Sequence, residues 1–76
     1  MFKKKKKITP KQEFMDFLDK QVIMAQGQEK VYVTFPVETP YQSTWAKEYA
    51  KNKGFDITIS HQTEGLVYYS MRGWIV

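Results

Sequence analysis

The stretch VYVTFPVETPYQ, residues 31–42, changes within a few residues from the pattern of a strand to the signature of a helix start. Apolar and polar side chains alternate along Lys30–Val37, which is typical of a strand with one face on a core. Thr39-Pro40-Tyr41-Gln42 then places Thr at the helix N-cap, with Pro and Gln at the first and third helical positions. The stretch therefore predicts a strand that leads directly into a helix.

The same opening occurs upstream, at Thr9-Pro10-Lys11-Gln12. Each opening is followed by a glycine, Gly27 or Gly54, suited to the left-handed residue that closes a helix. We therefore predict helices at about 10–26 and 40–53. In the first helix, apolar residues recur at spacings of three and four and predict a core-facing stripe: Phe14, Phe17, Leu18, Val22 and Ala25.

Two further strands are predicted after the second helix. Phe55–Ser60 alternates between apolar and polar residues, and Leu66–Met71 follows a polar link, His61–Gly65. The strands on either side of the second helix are expected to run parallel through a right-handed crossover. The sequence thus predicts an α+β fold with the order α-β-α-β-β, in which two helices pack on one face of a three-stranded mixed sheet. A fourth strand is predicted only if Phe2–Ile8 is extended.

The size of the chain allows one domain, residues 9–76, preceded by a basic arm, residues 1–8. The 42% content of hydrophobic residues indicates a globular protein and not a disordered one. The absence of cysteine excludes disulfides and thiolate metal sites. No apolar run approaches the ~20 residues that span a bilayer. We therefore expect a cytoplasmic protein that binds no membrane.

The positive charge is concentrated at the start of the chain, in Lys3–Lys7. This run contains five of the 12 basic residues, so the remaining seven face eight acidic residues in a body that is nearly neutral. Flexible lysines bind phosphate backbones by releasing counterions, without reading sequence. Adhesion to anionic lipid, a nuclear address and a purely solubilising terminus are the alternative explanations of the run.

A second candidate is the face of the sheet turned away from the helices. If Val67, Tyr69 and Met71 point inward, the residues that alternate with them point outward and join those of the other strands: Tyr32, Thr34, Thr58, Ser60, Tyr68, Ser70 and Arg72. Exposed aromatic rings beside a cation stack the bases of a single strand. Alternatively, the tyrosines pack against each other across the strands or under the N-terminal arm. Asp56 on the same face counts against phosphate binding there.

Neither catalysis nor a cofactor is indicated. His61, the one histidine, is predicted in a turn without a nucleophile or carboxylate held against it. Glu13, Asp16 and Asp19 lack a fourth ligand at a suitable spacing and are better explained as favourable charges near a helix N-terminus. The sequence therefore predicts a protein that is not an enzyme and holds no metal.

Two functional hypotheses remain. The first is a non-enzymatic accessory protein that binds nucleic acid without sequence preference, through the following residues: Lys3, Lys4, Lys5, Lys6, Lys7, Lys47, Lys51, Lys53, Tyr32, Tyr68 and Arg72. The second is a protein-interaction module, such as a small phage-encoded regulator or inhibitor of a larger protein. It would use an exposed apolar patch, or a homodimer face, formed by Met15, Ile23, Met24 and Trp74.

With Phe2–Ile8 as a leading strand, the order becomes β-α-β-α-β-β over nearly the whole chain. That order resembles, in topology and length, the fold shared by Alba-type chromatin proteins and the C-terminal domain of translation initiation factor three. Both families bind nucleic acid, so the resemblance favours the first hypothesis. It carries no individual residue of either family over to this chain.

Overall fold

The structure is a computed structural model of the chain, and it describes residues 8–75. Its elements follow the predicted order α-β-α-β-β: α1 Pro10–Gly27, β1 Tyr32–Val37, α2 Pro40–Lys53, β2 Asp56–Thr63 and β3 Leu66–Arg72. The predicted α+β class is thereby confirmed. The proposed leading strand falls on residues 2–7, which lie outside the described residues, and on Ile8, which belongs to no strand.

Both helix starts use the predicted N-cap. The Thr9 hydroxyl oxygen accepts a hydrogen bond from the Gln12 backbone N–H at 3.1 Å, and Thr39 accepts from Gln42 at 3.2 Å. The side-chain oxygen of Gln42 in turn accepts from the backbone N–H of Glu38 at 2.8 Å. These bonds satisfy N–H groups that have no partner within a helix, and so they fix where α1 and α2 begin.

The helix ends differ from each other. Gly54 closes α2 in the left-handed conformation, at φ 78°, as predicted. The same prediction for Gly27 was wrong, because α1 runs through Gly27 and Glu29 takes the left-handed conformation at φ 60°. Lys30 then donates its backbone N–H to the Ala25 carbonyl at 2.8 Å, which ties the exit of α1 to its last turn.

The sheet has the order β1-β3-β2, and both neighbouring pairs are antiparallel. β1 and β2 run in the same direction, as expected for the two strands that flank α2. However, the β2–β3 hairpin places β3 between them. The three described strands therefore form no parallel pair, and the predicted mixed pairing was wrong. The physical reason is that β3 can pair on both of its edges while it keeps a short turn to β2.

The hairpin is longer than predicted. β2 continues to Thr63, and the turn consists of Glu64 and Gly65, with Gly65 at φ 81°. A β-bulge between Ile59 and His61 inserts one extra residue and shifts the register. His61 therefore lies in the strand and not in a turn, because the bulge absorbs the break in alternation that the sequence showed at this point.

Both helices pack on the same face of the sheet, where Phe35, Tyr69 and Met71 are at most 5% exposed. The buried core combines that face with one stripe of each helix: Phe14, Leu18, Val22, Ala25, Phe35, Val37, Ala46, Tyr49, Ala50, Tyr69, Met71 and Trp74. Tyr69 and Met71 point inward as predicted, and Val67 is half-buried on the same face. Strand alternation places Val31 and Ile59 with the inward-facing residues, but they are about half exposed.

Two tyrosine hydroxyls form hydrogen bonds that join separate elements of the fold. Tyr49 of α2 donates to the carboxylate of Asp19 in α1 at 2.5 Å, and Tyr69 of β3 donates to the hydroxyl of Ser43 in α2 at 3.0 Å. Burial and the bonded carboxylate both raise the pKa of Tyr49 well above its usual range, because each disfavours the phenolate. The two bonds hold the helices to each other and to the sheet.

The chain turns back toward the core directly after β3. After β3, Gly73 adopts φ 138°, and an added Cβ there would lie 3.0 Å from the Cα atom of Phe55. Trp74 then packs edge-on against Phe55, with ring centroids 5.2 Å apart, and donates its indole N–H to the Lys30 carbonyl at 2.8 Å. The indole thus closes the core beside the exit of α1.

Candidate nucleic-acid interface

The face of the sheet opposite the helices is covered by no described residue, and we call it the open face. It consists of three cross-strand rows, each with one residue from β1, β3 and β2 in that order: Tyr32–Arg72–Asp56, Thr34–Ser70–Thr58 and Pro36–Tyr68–His61. Strand alternation places these side chains opposite the core residues. The prediction that Tyr32, Tyr68 and Arg72 share one face therefore agrees with the register.

At one end of the open face, the rings of His61 and Tyr68 form a stacked pair. The His61 and Tyr68 rings lie 4.4 Å apart between centroids and are only 11° from parallel. The hydroxyl of Ser60 lies 3.2 Å from Nδ1 of His61 and restrains the imidazole. Tyr68 is half-buried, whereas the outer side of the His61 ring faces solvent because His61 is exposed. The pair therefore presents a fixed aromatic surface at one end of the open face.

Sequence reasoning missed the part that His61 takes in this surface. The alternation of β2 would have given the outward positions to Asp56, Thr58 and Ser60. The bulge after Ile59 moves the outward position to His61 and places it directly opposite Tyr68. The sequence alone gives no signal for this position, because the pairing of His61 with Tyr68 follows only from the register of the hairpin.

Tyr32 provides a second, separate aromatic position. Tyr32 is 47% exposed and begins β1, whereas Pro36, which pairs with Tyr68, lies near the other end of that strand. Four residues along a strand correspond to about 13 Å, whereas stacked neighbouring bases lie about 3.4 Å apart. The two positions can thus hold two bases of the same strand, but not two adjacent bases. Between them lie the small hydroxyl side chains of Thr34 and Ser70.

The open face is electrically balanced. Arg72 and Asp56 lie opposite each other in the first row, so one positive and one negative charge occupy neighbouring strands. Both side chains are exposed, which keeps the guanidinium available to a phosphate oxygen. Because the described residues of this face supply a single cation, most of the affinity for a polyanion has to come from other residues.

The predicted lysines of α2 do not lie on this face. Lys47, Lys51 and Lys53 are exposed on α2, on the helix side of the sheet, and the Lys53 ammonium lies 5.7 Å from the centre of the Tyr49 ring. Lys3–Lys7 lie outside the described residues. The structure therefore separates the predicted set, with the tyrosines and Arg72 on one side of the sheet and the α2 lysines on the other.

The apolar patch of the second hypothesis does not form as expected. Trp74 is only 8% exposed, so its predicted place in a surface patch was wrong. The reason is the turn at Gly73, which carries the indole into the core. Met15 is half-buried against the core, whereas Ile23 and Met24 are 65% and 56% exposed. Two of the four residues thus remain on the surface.

Within residues 8–75, no helix has the length and apolar character required to cross a bilayer. The same part of the chain groups no three His, Asp or Glu side chains in a way that could hold a metal ion.

Comparison with known proteins gives no relative: no family model, no curated protein and no solved structure matches this chain. The resemblance to Alba-type proteins and to the C-terminal domain of translation initiation factor three thus gains no support from these comparisons. The geometry of the open face is the basis on which function can be argued.

Proposed function

We propose that this protein is a small non-enzymatic accessory protein that binds single-stranded nucleic acid without sequence preference. The open face provides the binding platform, and Lys3–Lys7 provide most of the electrostatic attraction. The observation that supports the proposal is the parallel His61–Tyr68 stack on a sheet face that no described residue covers and that also carries Tyr32 and Arg72 in another row.

The chemistry of the face suits single strands. A base that is not paired can place its ring on an exposed aromatic side chain, which contributes about 1–3 kcal/mol per base. Every base has such a ring face, so this contact does not discriminate among sequences. The bases of a duplex are already stacked on each other and present only their edges, so a duplex cannot use the platform.

We expect the lysines of Lys3–Lys7 to attract the phosphate backbone without forming contacts of a fixed geometry. Each lysine that replaces a counterion of a single strand adds about 0.7 to the slope of log affinity against log salt, so five lysines give about 3.5. The stacking contacts contribute little to that slope because they release no counterions. Removal of residues 1–7 should therefore flatten the salt dependence, while the preference for single strands stays.

The proposal is tested by titrating a labelled oligothymidine, and a duplex of equal length, at low salt. We expect tighter binding of the single strand and a loss of about 5- to 150-fold in Tyr68→Ala, which is the value of one stacked base. Tyr41→Ala is the matched control, because Tyr41 is 73% exposed but lies on α2. Equal losses in both variants, or a preference for the duplex, would contradict the platform.

An interaction with protein is the second candidate function. Ile23 and Met24 are exposed near the exit of α1, and Val31 and Tyr32 are about half exposed at the start of β1. These apolar side chains lie beside an edge of the sheet that pairs with no described strand, which favours a protein surface there.

A further inference from the structure

The two edges of the sheet are not equally open to another strand. The outer edge of β2 carries the bulge between Ile59 and His61, which disturbs regular pairing. β1 has the sequence YVTFPV, with neither a charge nor a bulge, and no described strand pairs with its outer edge. An uncharged, regular edge of this kind is a template for another strand.

Pro36 shows which backbone groups face the outer edge of β1. The pairing of β1 with β3 continues through Pro36 without interruption, so the nitrogen that lacks a hydrogen points away from β3. In an antiparallel strand the groups of alternate residues point the same way. Tyr32 and Thr34 therefore present their N–H and C=O groups to the outer edge, while Val33 and Phe35 bond to β3.

A groove follows the same edge, and α1 forms its second wall. It consists of two cavities that lie one after the other along β1. Met24 and Gln28 of α1 line the first cavity, at the start of β1. Phe14 and Phe17 of α1 line the second, where they meet Pro36 near the end of β1. A strand added to β1 would lie beneath α1, in the position where grooves of this kind receive extended peptides.

The two ends of the groove carry opposite charges. Among the described residues that line the two cavities, the charged ones are Lys30 in the first and Glu38 in the second. Lys30 precedes β1 and Glu38 follows it, and both are exposed. Glu29 is exposed next to Lys30 but lines neither cavity. A segment that is complementary to the groove therefore has an acidic group at the start of β1 and a basic group at its end.

We propose that the groove beside β1 binds an extended segment of another protein, which joins the sheet as an antiparallel strand. Residues directly opposite each other share a face of a sheet, so the segment residues opposite Val33 and Phe35 lie beneath α1 and are apolar. A basic residue precedes them beside Glu38, and an acidic residue follows them beside Lys30. The proposal gives the second candidate function a defined partner and does not depend on nucleic-acid binding.

The backbone groups at the edge fit this strand. Antiparallel pairing is the more stable arrangement per residue, and it lets Tyr32 and Thr34 each exchange both hydrogen bonds with one residue of the segment. The pairing ends on either side of them. Pro36 has no N–H, and the N–H of Lys30 already donates to the last turn of α1, while its carbonyl accepts from Trp74, each at 2.8 Å. No backbone bond of the fold has to break when the segment binds.

A single extended segment suits the groove better than other parts of the same protein. If two copies of the chain paired through this edge, both α1 helices would lie on the same face of the joint sheet and compete for the same space. A lone segment has no helix of its own and leaves α1 in place. Lys3–Lys7, placed as a strand on this edge, would bring alternate lysines beneath α1 beside Met24 and Phe17, where their charges would lose water.

A synthetic peptide with the proposed pattern is the probe. Its sequence is Arg-Thr-Val-Thr-Val-Thr-Glu, with acetylated and amidated ends that carry no charge. When its valines lie opposite Val33 and Phe35, its glutamate lies near Lys30 and its arginine near Glu38. The control peptide, Glu-Thr-Val-Thr-Val-Thr-Arg, has the same composition and apolar pattern, but its charges meet like charges in the antiparallel register.

Calorimetric titration of the full chain compares the two peptides. We expect the probe to bind about tenfold more tightly than the control, because two exposed ion pairs replace two repulsive contacts. The double variant Lys30→Glu/Glu38→Lys keeps the net charge of the protein and should reverse the preference. Absence of binding, equal binding of the two peptides, or a preference that the double variant leaves unchanged would overturn the proposal.

Amide chemical shifts locate the bound peptide. The amide protons of Tyr32 and Thr34 should move downfield as they form new hydrogen bonds, whereas that of Val33 is already bonded to β3 and should move less. The amides of His61 and Tyr68 should stay unchanged, which separates this site from the open face. Shifts confined to the open face would overturn the proposal. Because no oligonucleotide is present, a failure here leaves the proposed binding of nucleic acid intact.

The helix wall is tested with one further pair of variants. Met24→Ala removes apolar contact with the peptide and should weaken binding about fivefold. The matched control is Ile23→Ala, since Ile23 is 65% exposed one residue away and lines neither cavity, and it should leave binding unchanged. Equal losses in both variants would contradict a site beneath α1. Binding that appears only after removal of residues 1–7 would assign the groove to the start of the chain and overturn the proposal.

Discussion

The two faces of the sheet are made by alternate residues of the same three strands, yet they have opposite properties. The inner face is apolar and closed, with Phe35 at 1% and Met71 at 0% exposure. The open face carries hydroxyls, one ion of each sign and two aromatic positions, Tyr32 and the His61–Tyr68 stack. Packing explains the inner face completely, whereas an exposed ring such as Tyr32 adds little to the stability of the fold. The difference indicates that the inner face maintains the structure and the open face is available for binding.

The largest expected effect separates the two faces on one strand. Phe35→Ala leaves a cavity between α1 and the sheet and should lower the free energy of unfolding by about 3–5 kcal/mol. Its neighbour Thr34 points to the open face, and Thr34→Ala should change that free energy by about 0.5 kcal/mol or less. Urea unfolding followed by circular dichroism measures both values. Similar losses in the two variants would contradict the assignment of the faces.

The next largest effect on stability is expected at Gly73, whose turn carries Trp74 into the core. Gly73→Ala should cost about 1–3 kcal/mol, because the residue holds φ 138° and the new Cβ would meet Phe55 at 3.0 Å. Gly27→Ala is the control, since Gly27 lies in α1 with no atom near its missing side chain. Alanine there should stabilise the helix by about 0.5–1 kcal/mol. Thermal unfolding of both variants should move in opposite directions, and a shared direction would be inconsistent with the turn at Gly73.

The smallest of the three effects depends on pH. Tyr49→Phe removes the bond to Asp19 and should cost about 0.5–1.5 kcal/mol at neutral pH. The pKa of Tyr49 is raised in the folded state, so the protonated hydroxyl stabilises the fold below the unfolded value of about 10. That stability is lost as the pH rises further, because the unfolded chain then ionises first. The difference between wild type and Tyr49→Phe should shrink above pH about 10, and a constant difference would refute the role of the hydroxyl.

The sequence predicted the features that depend on neighbouring residues. Thr9 and Thr39 marked both helix starts, and the alternation along β3 gave the correct faces for Tyr69 and Met71. A helix cap and a strand face are set within a few residues, so a single sequence contains them.

The features that depend on distant contacts were not predictable in the same way. The position of β3 between β1 and β2, the pairing of His61 with Tyr68 and the burial of Trp74 all result from contacts between separate parts of the chain. The candidate site was accordingly predicted in part. The register joins Tyr32, Tyr68 and Arg72 on one face, and it adds His61, which only the bulge brings there.

Mapping of a bound oligonucleotide by backbone amide chemical shifts is the most direct test of the central claim, that the open face is the binding surface. Titration of an oligothymidine into the ¹⁵N-labelled full chain should shift the amides of Tyr32, His61, Tyr68 and Arg72 together, with saturation at one common affinity. Shifts confined to α2, or to residues 1–7 while the open face stays unchanged, would contradict the claim.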